Sequence, residues 1–168
     1  MTERKKTKRT KAPADAVALL MKDHRTVQKI FRDFEKQKDG DEAAKADMVR
    51  TACQELTIHT QIEEEIFYPA LRDALKDEGK DLLDEAEVEH ETAKQLIGEL
   101  ERMSPGDDLY DAKFTVLGEY INHHIKEEHG EMFPMAKKTD LDLASLGEQM
   151  MRRKEELQAG MTRDKAEA

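Results

Sequence analysis

His59-Thr-Gln-Ile-Glu63-Glu-Glu-Ile-Phe-Tyr-Pro69 and His124-Ile-Lys-Glu-Glu128-His-Gly-Glu-Met-Phe-Pro134 are one phrase written twice. In both copies a His precedes a Glu by four residues and a proline closes the segment at the same offset. Residues four apart on a helix project from one face, one turn from each other, so both copies carry metal-ligand spacing. A fainter repeat surrounds two more histidines: Asp23-His24-Arg-Thr26 leads into Ile30, Phe31 and Phe34, and Glu89-His90-Glu-Thr92 into Leu96, Ile97 and Leu100. The chain reads as a helical hairpin used twice, each half supplying a His and then a His-x-x-x-Glu.

Apolar periodicity carries the hairpins outward from these motifs. A first helix opens after Pro13 on the stripe Val17, Leu20, His24, Val27, Phe31, Phe34 and ends by Lys38-Asp-Gly40. A second runs from about 41 to 68 through Ala52, Leu56, His59, Glu63, Ile66 and Ala70, with Pro69 bending or breaking it. The third spans about 80 to 103 through Leu83, Ala86, His90, Ala93, Ile97 and Leu100. The fourth spans about 109 to 138 through Phe114, Leu117, Ile121, His124, Glu128, Met132 and Met135, with a break expected at Gly130 to Pro134. A fifth, amphipathic segment covers about 141 to 157, with Leu143, Leu146, Met150 and Met151 facing the bundle. The predicted fold is all-α, an up-down-up-down four-helix bundle over 13–138. A basic tail over 1–12 precedes it, and a C-terminal helix and tail over 139–168 follow.

Composition agrees with that class. Trp is absent, aromatics make up 5% and charged residues 39%, as in solvated helices packed through aliphatic side chains. The net charge of −10 argues against a general nucleic-acid binder. Residues 1 to 12 reverse the sign, with six Lys and Arg against Glu3, and read as a disordered end. No apolar run is long enough for a membrane span or a secretory signal, so a cytoplasmic location is expected. Cys53 is the single cysteine and falls at core spacing from Val49 and Leu56.

Helix lengths bring the donors together. About 14 residues separate His24 from the first turn and about 18 separate that turn from His59, so antiparallel helices set both at one height. His90 and His124 repeat the arithmetic. Glu63 and Glu128 then occupy otherwise apolar inward positions, and an unpaired buried carboxylate costs several kcal/mol. No Lys or Arg shares either stripe, so a metal is the expected counter-charge, with a purely structural polar network as the alternative. Four imidazoles and two carboxylates suit two ions. Nitrogen and carboxylate donors without thiolate favour Fe or Mn, and Zn could also bind.

On these motifs, over about 14 to 138, the chain resembles hemerythrin-like proteins of the HHE cation-binding family. The resemblance implies a four-helix bundle with a non-haem di-iron site at His24, His59, Glu63, His90, His124 and Glu128. Oxygen-carrying hemerythrins have a further His four residues after the third-helix His, where this chain has Lys94. Glu87, in a Glu-x-x-His pattern with His90, is the first candidate for an extra ligand. His123 and His129 flank the His124 stripe as supporting or surface histidines, and Glu64 and Glu127 read as solvated charges.

The expected function is a di-iron protein that binds or reacts with O2, peroxide or nitric oxide, or senses or stores iron. If it is an enzyme, it is a peroxide-degrading one or an oxidase. The alternative is a helical scaffold or regulatory module whose basic tail binds an anionic partner such as nucleic acid. Sequence does not set the oligomeric state.

Overall fold

The computed structural model describes residues 15–167, and the basic tail lies outside them. Among the described residues the chain is all helical. Helix α1 (Ala16–Lys36) starts at Asp15, whose carboxylate accepts from the Ala18 N–H at 2.8 Å and so satisfies one of the free donors of the first turn. Helix α2 (Glu42–Ile62) is capped likewise by Asp41. It continues through a π-helical turn (Glu63–Phe67) into α3 (Tyr68–Leu75). Helix α4 (Lys80–Glu101) returns. Helix α5 (Tyr110–Glu127) continues through a second π-helical turn (Glu128–Met132) into α6 (Phe133–Lys137). A last helix, α7 (Leu143–Glu167), lies along α1 and α2. The architecture is a four-helix bundle, with α2–α3 and α5–α6 each acting as one long helix.

Both prolines are absorbed without the breaks that the sequence suggests. Pro69 has no N–H to offer, and its ring would strike the carbonyl four residues earlier. The widened turn before it relieves that contact: the Tyr68 N–H reaches back five residues to the Glu63 carbonyl. The Phe133 N–H does the same to Glu128 ahead of Pro134. Each π-turn begins at an inward Glu, in keeping with the frequent occurrence of such turns at functional sites.

The inserted residue also rotates the helix beyond it. Past Glu63 the helix buries Phe67, Tyr68 and Leu71, leaving the expected Ile66 and Ala70 only half-buried. Past Glu128 it buries Met132, Phe133 and Ala136, and Met135 turns partly out. Helix α7 runs ten residues beyond the expected 157; Met150 is buried, whereas Met151 faces solvent.

Two apolar clusters fill the bundle. One gathers Leu20, Ile62, Phe67, Leu71, Leu83 and Phe133 with Met150 of α7. The other gathers Val27, Phe34, Leu56, Ile97, Phe114 and Leu117. Cys53 belongs to the second, and burial followed by the charge of Glu101 pushes its thiol up to about 12, far from a reactive thiolate. Between the clusters lies a layer of buried polar side chains, one or two from each helix of the bundle. His24 sits between Leu20 and Val27, His59 between Leu56 and Ile62, His90 between Ala86 and Ala93, and His124 and Glu128 between Ile121 and Met132.

Candidate metal centre

The polar layer brings His24, His59, Glu63, His90, His124 and Glu128 together, all buried, with both glutamates 0% exposed. Their donor atoms fall into two groups, each within 4.8 Å: His24, His59 and Glu128, and Glu63, His90 and His124. The groups interlock through the carboxylates. Glu63 Oε1 lies 2.8 Å from His59 Nε2 on its own helix and 3.5 Å from His90 Nε2 on another. Glu128 Oε1 touches His124 Nε2 on its own helix and lies 3.8 Å from His24 Nε2. The histidine nitrogens themselves converge, with Nε2 of His24 and His59 3.2 Å apart and Nε2 of His90 and His124 3.3 Å apart.

Close approach here is not hydrogen bonding. All four oxygens of Glu63 and Glu128 lack a hydrogen-bond partner of acceptable geometry among the described residues, although ring nitrogens stand within ion-pair distance. The ring of His59 explains part of this. Its Nδ1–H donates to Asp23 Oδ2 at 3.0 Å, which leaves the Nε2 lone pair aimed at the Glu63 carboxylate. At His124 the matching acid stands farther off, with Glu89 Oε2 3.4 Å from Nδ1, within ion-pair distance but without a hydrogen bond of acceptable geometry. Lone pairs of nitrogen and oxygen that point at common centres fit a cation, for which protons on the imidazoles are the competing counter-charge. Without one, the layer is electrostatically awkward. Burial and then the charge of Glu63 push the Glu128 carboxyl up to about 7. Burial would lower His59 and His124, but the adjacent carboxylates override it and raise them to about 10 and about 11.

The layer is two-fold in its donors and uneven around them. Asp23, which precedes His24 in sequence, supports His59 across the hairpin, and Glu89, which precedes His90, supports His124. That crossing was visible as an acid before His in both halves, though not its partner. The residue after each glutamate approaches the far hairpin: Glu64 Oε2 stands 3.8 Å from His90 Nδ1, and His129 Nε2 lies 2.9 Å from His24 Nδ1, the two rings sharing one N–H. Glu64 therefore faces the site edge rather than open solvent, and Lys94 grips it at 2.6 and 2.7 Å. Tyr68 is the residue that sequence reasoning missed outright. Its hydroxyl lies 3.2 Å from His90 Nε2 and 3.1 Å from His124 Nε2, placed there by the π-turn that shifted the inward face.

Three of the sequence-chosen residues lie elsewhere. Glu87 is not brought to the centre. It is exposed on α4, and Arg72 Nη2 donates to its Oε1 at 2.9 Å, because the inward stripe of α4 passes through Ala86 and His90 and leaves position 87 on the flank. Lys94 points to Glu64 and away from the histidines. His123 is exposed and pairs with Glu127 at 3.1 Å, beside Glu89.

Among the described residues, no helix is long and apolar enough to cross a membrane. In comparisons with known proteins, the hemerythrin HHE cation-binding domain matches residues 15–136. An uncharacterised hemerythrin-like protein of Schizosaccharomyces pombe is 26% identical over 119 residues, which are 71% of this chain and 58% of that protein. The match thus spans less than two-thirds of that relative's length. The crystal structure of an HHE cation-binding domain-containing protein from Mycobacterium kansasii superposes with a TM-score of 0.72 at 24% identity, covering 88% of this chain and 89% of the other, a likeness of fold. With two buried His/Glu clusters inside the stretch 15–136 that the family's domain matches, the chain belongs to the hemerythrin HHE cation-binding domain family.

Proposed function

We propose that the polar layer holds two iron ions and that the protein reacts with a small oxidant or diatomic ligand there. The observation that carries the reading is the pair of fully buried carboxylates without hydrogen bonds, each flanked by histidines of two helices. One ion would draw on His24 and His59, the other on His90 and His124, with Glu63 and Glu128 shared between them. Imidazole and carboxylate without thiolate suit iron or manganese over a soft metal. A bound pair of irons supplies redox and Lewis-acid chemistry toward dioxygen, peroxide or nitric oxide.

The chain's own residues set what such a ligand meets. Val27, Leu56, Ile121 and Ile125 form an apolar wall beside the four histidines, and the cavity against it is only about 10 Å³. That is room for no more than about one water-sized molecule, which disfavours an organic substrate and leaves only the smallest ligands as candidates. Tyr68 holds a hydroxyl proton that faces the layer, within hydrogen-bond reach of His90 and His124. Burial, with the charges of Glu128 and Glu63, keeps that phenol protonated in the metal-free protein, and a bound cation would oppose that effect of the carboxylates.

With Lys94 and Glu87 turned away, the protein offers six His and Glu donors to two ions. Positions are left for exogenous ligands, which favours reaction with peroxide or nitric oxide over reversible oxygen carriage. Metal analysis of freshly purified protein, with a visible spectrum before and after azide and peroxide, tests the reading. About two irons per chain, adducts with both reagents and no stable oxygenated form are expected. Iron-supplied protein without iron, or one that oxygenates reversibly through repeated cycles, overturns it.

A further inference from the structure

Among the described residues, the only basic side chain that reaches the supporting groups of the His24/His59 position comes from α7, beyond the stretch 15–136 that the family's domain covers. Lys154 Nζ donates to Asp23 Oδ1 at 2.6 Å, and the other oxygen of that carboxylate accepts from His59 Nδ1 at 3.0 Å. Both charged partners are withdrawn from solvent, Asp23 at 5% and the Lys154 side chain at 17% exposure. The preceding residue makes a second attachment: Arg153 Nε donates at 2.7 Å to Glu65, which lies in the π-turn that begins at Glu63. Two consecutive residues of α7 thus fasten one hairpin on either side of its His-x-x-x-Glu.

The other hairpin has no such fastening to α7 among the described residues; the nearest equivalent at its histidines is Glu64, 3.8 Å from His90 Nδ1 and held by Lys94 within the bundle, too far from the ring to make the close contact that Asp23 makes with His59. Glu89, the counterpart of Asp23, faces His124 but has Glu127 and His123 as neighbours in place of a lysine. Gly130 stands where the first hairpin has Glu65, so no side chain is available there for a cation to grip.

We infer that Lys154 is a positioning residue for metal retention: by fixing the Asp23 carboxylate, it holds His59 with Nδ1 protonated and Nε2 facing the metal, and so slows release of the ion at His24 and His59. The inference rests on the proposed two-metal reading. Its physical basis is that a carboxylate anchored on its far oxygen cannot swing away from the imidazole it orients, and loss of such support costs about 10- to 100-fold in metal affinity. The fastening also ties α7 to the bundle through charge as well as through the buried Met150.

The test uses the full-length protein loaded with Co2+, in wild-type, Lys154→Met, Lys154→Arg and Arg152→Ala forms; Arg152 is an exposed neighbour that removes the same charge without touching Asp23. Chelator-driven release is followed by the visible bands, and the exchangeable imidazole N–H protons by their paramagnetically shifted resonances. Lys154→Met should release one of its two ions about tenfold faster, and the His59 N–H resonance should broaden or vanish through solvent exchange. Lys154→Arg and Arg152→Ala should behave as wild type. A Lys154→Met protein that releases both ions at wild-type rates, or both faster by the same factor, overturns the inference while leaving the two-metal reading intact. Wild-type protein that binds no Co2+ at the histidines overturns both. Circular dichroism separates either result from loss of fold, and if Lys154→Met does unfold, Lys154→Gln with the same resonance decides.

Discussion

The two hairpins supply matching donors and mismatched surroundings. His24, His59 and Glu63 are answered by His90, His124 and Glu128 at the same helical offsets, each glutamate opening a π-turn ahead of a proline. Around them the correspondence fails. Tyr68 is answered by Phe133, which stacks on His24 with ring centroids 5.9 Å apart; Glu64 by His129; and the lysine-anchored Asp23 by Glu89 without a cation. The inner donors are constrained by burial, because every one must be satisfied by the same centre. Groups one layer out are satisfied singly: Glu64, Glu89 and His129 reach the surface, Asp23 reaches α7, and Tyr68 and Phe133 pack in the core. A repeated motif thus yields two chemically different halves.

The inner symmetry is broken most severely by removing a carboxylate. Glu63→Ala and Glu128→Ala should each lose at least about one ion per chain, since both glutamates stand between histidines of the two groups. Similar losses from the two variants, read by metal analysis after gel filtration, are what matching halves require. Full metal in both would remove the glutamates from the centre. A large difference between them would mean that only one is shared.

Removing the metal sharpens the same point through pH. In the metal-free fold His59 and His124 are raised to about 10 and about 11, because Glu63 and Glu128 override the cost of burial. Folded protein then binds more protons than unfolded protein above the ordinary histidine range, so stability falls as pH rises from about 6.5 through those values. Glu128, raised to about 7 by burial and by Glu63, acts with the same sign up to that pH. His24, lowered to about 3 by burial and by His59, opposes them only below about 6.5. The melting temperature of chelated protein should therefore drop between pH 7 and 9. Metal-loaded protein should not follow, because binding needs deprotonated ligands and strengthens as pH rises. Parallel curves for the two forms would mean that these histidines are not competing with a cation for their protons.

Tyr68→Phe makes the first hairpin resemble the second at one atom. We expect metal content to stay near two ions, a stability cost of about 1 kcal/mol from the lost hydroxyl contacts, and a changed visible spectrum in the ferric form. Phe133→Tyr probes the reverse. An unchanged spectrum in Tyr68→Phe would place the phenol outside the metal's reach.

Much of this was legible in sequence, and what escaped had physical causes. The stripes of α1 and α4 follow an uninterrupted helical rhythm, and every residue chosen on them, from Val17 to Phe34 and from Leu83 to Leu100, is buried. The six inward donors are brought together because helix length alone fixes their height. Tyr68 was hidden by the π-turn: one inserted residue rotates the helix, and no periodic reading that stays in phase through Glu63 can place 68 inside. Lys154 was hidden for another reason, since contacts across 131 positions leave no trace in local spacing. Cross-pairing of Asp23 with His59, and of Glu89 with His124, needs the hairpin geometry before either acid has an obvious partner.

Glu87 gives the smallest expected effect and separates a motif from a location. A Glu three residues before a His on a helix is close enough to share a metal when both face inward, and that spacing is present here. Yet its side chain is 54% exposed and bound to Arg72, which Asp84 also grips at 2.9 Å. In the matching place of the first hairpin, three residues before His24, stands Met21, which has no ligand chemistry to offer an iron of this kind. A donor at 87 would therefore break the inner symmetry that the other six keep. Glu87→Ala should leave metal content and the azide spectrum unchanged and shift stability by no more than about 0.5 kcal/mol, the usual size for an exposed ion pair. Loss of one iron from that variant would mean that α4 turns Glu87 inward when metal binds, and the centre would then hold seven protein donors, unevenly divided.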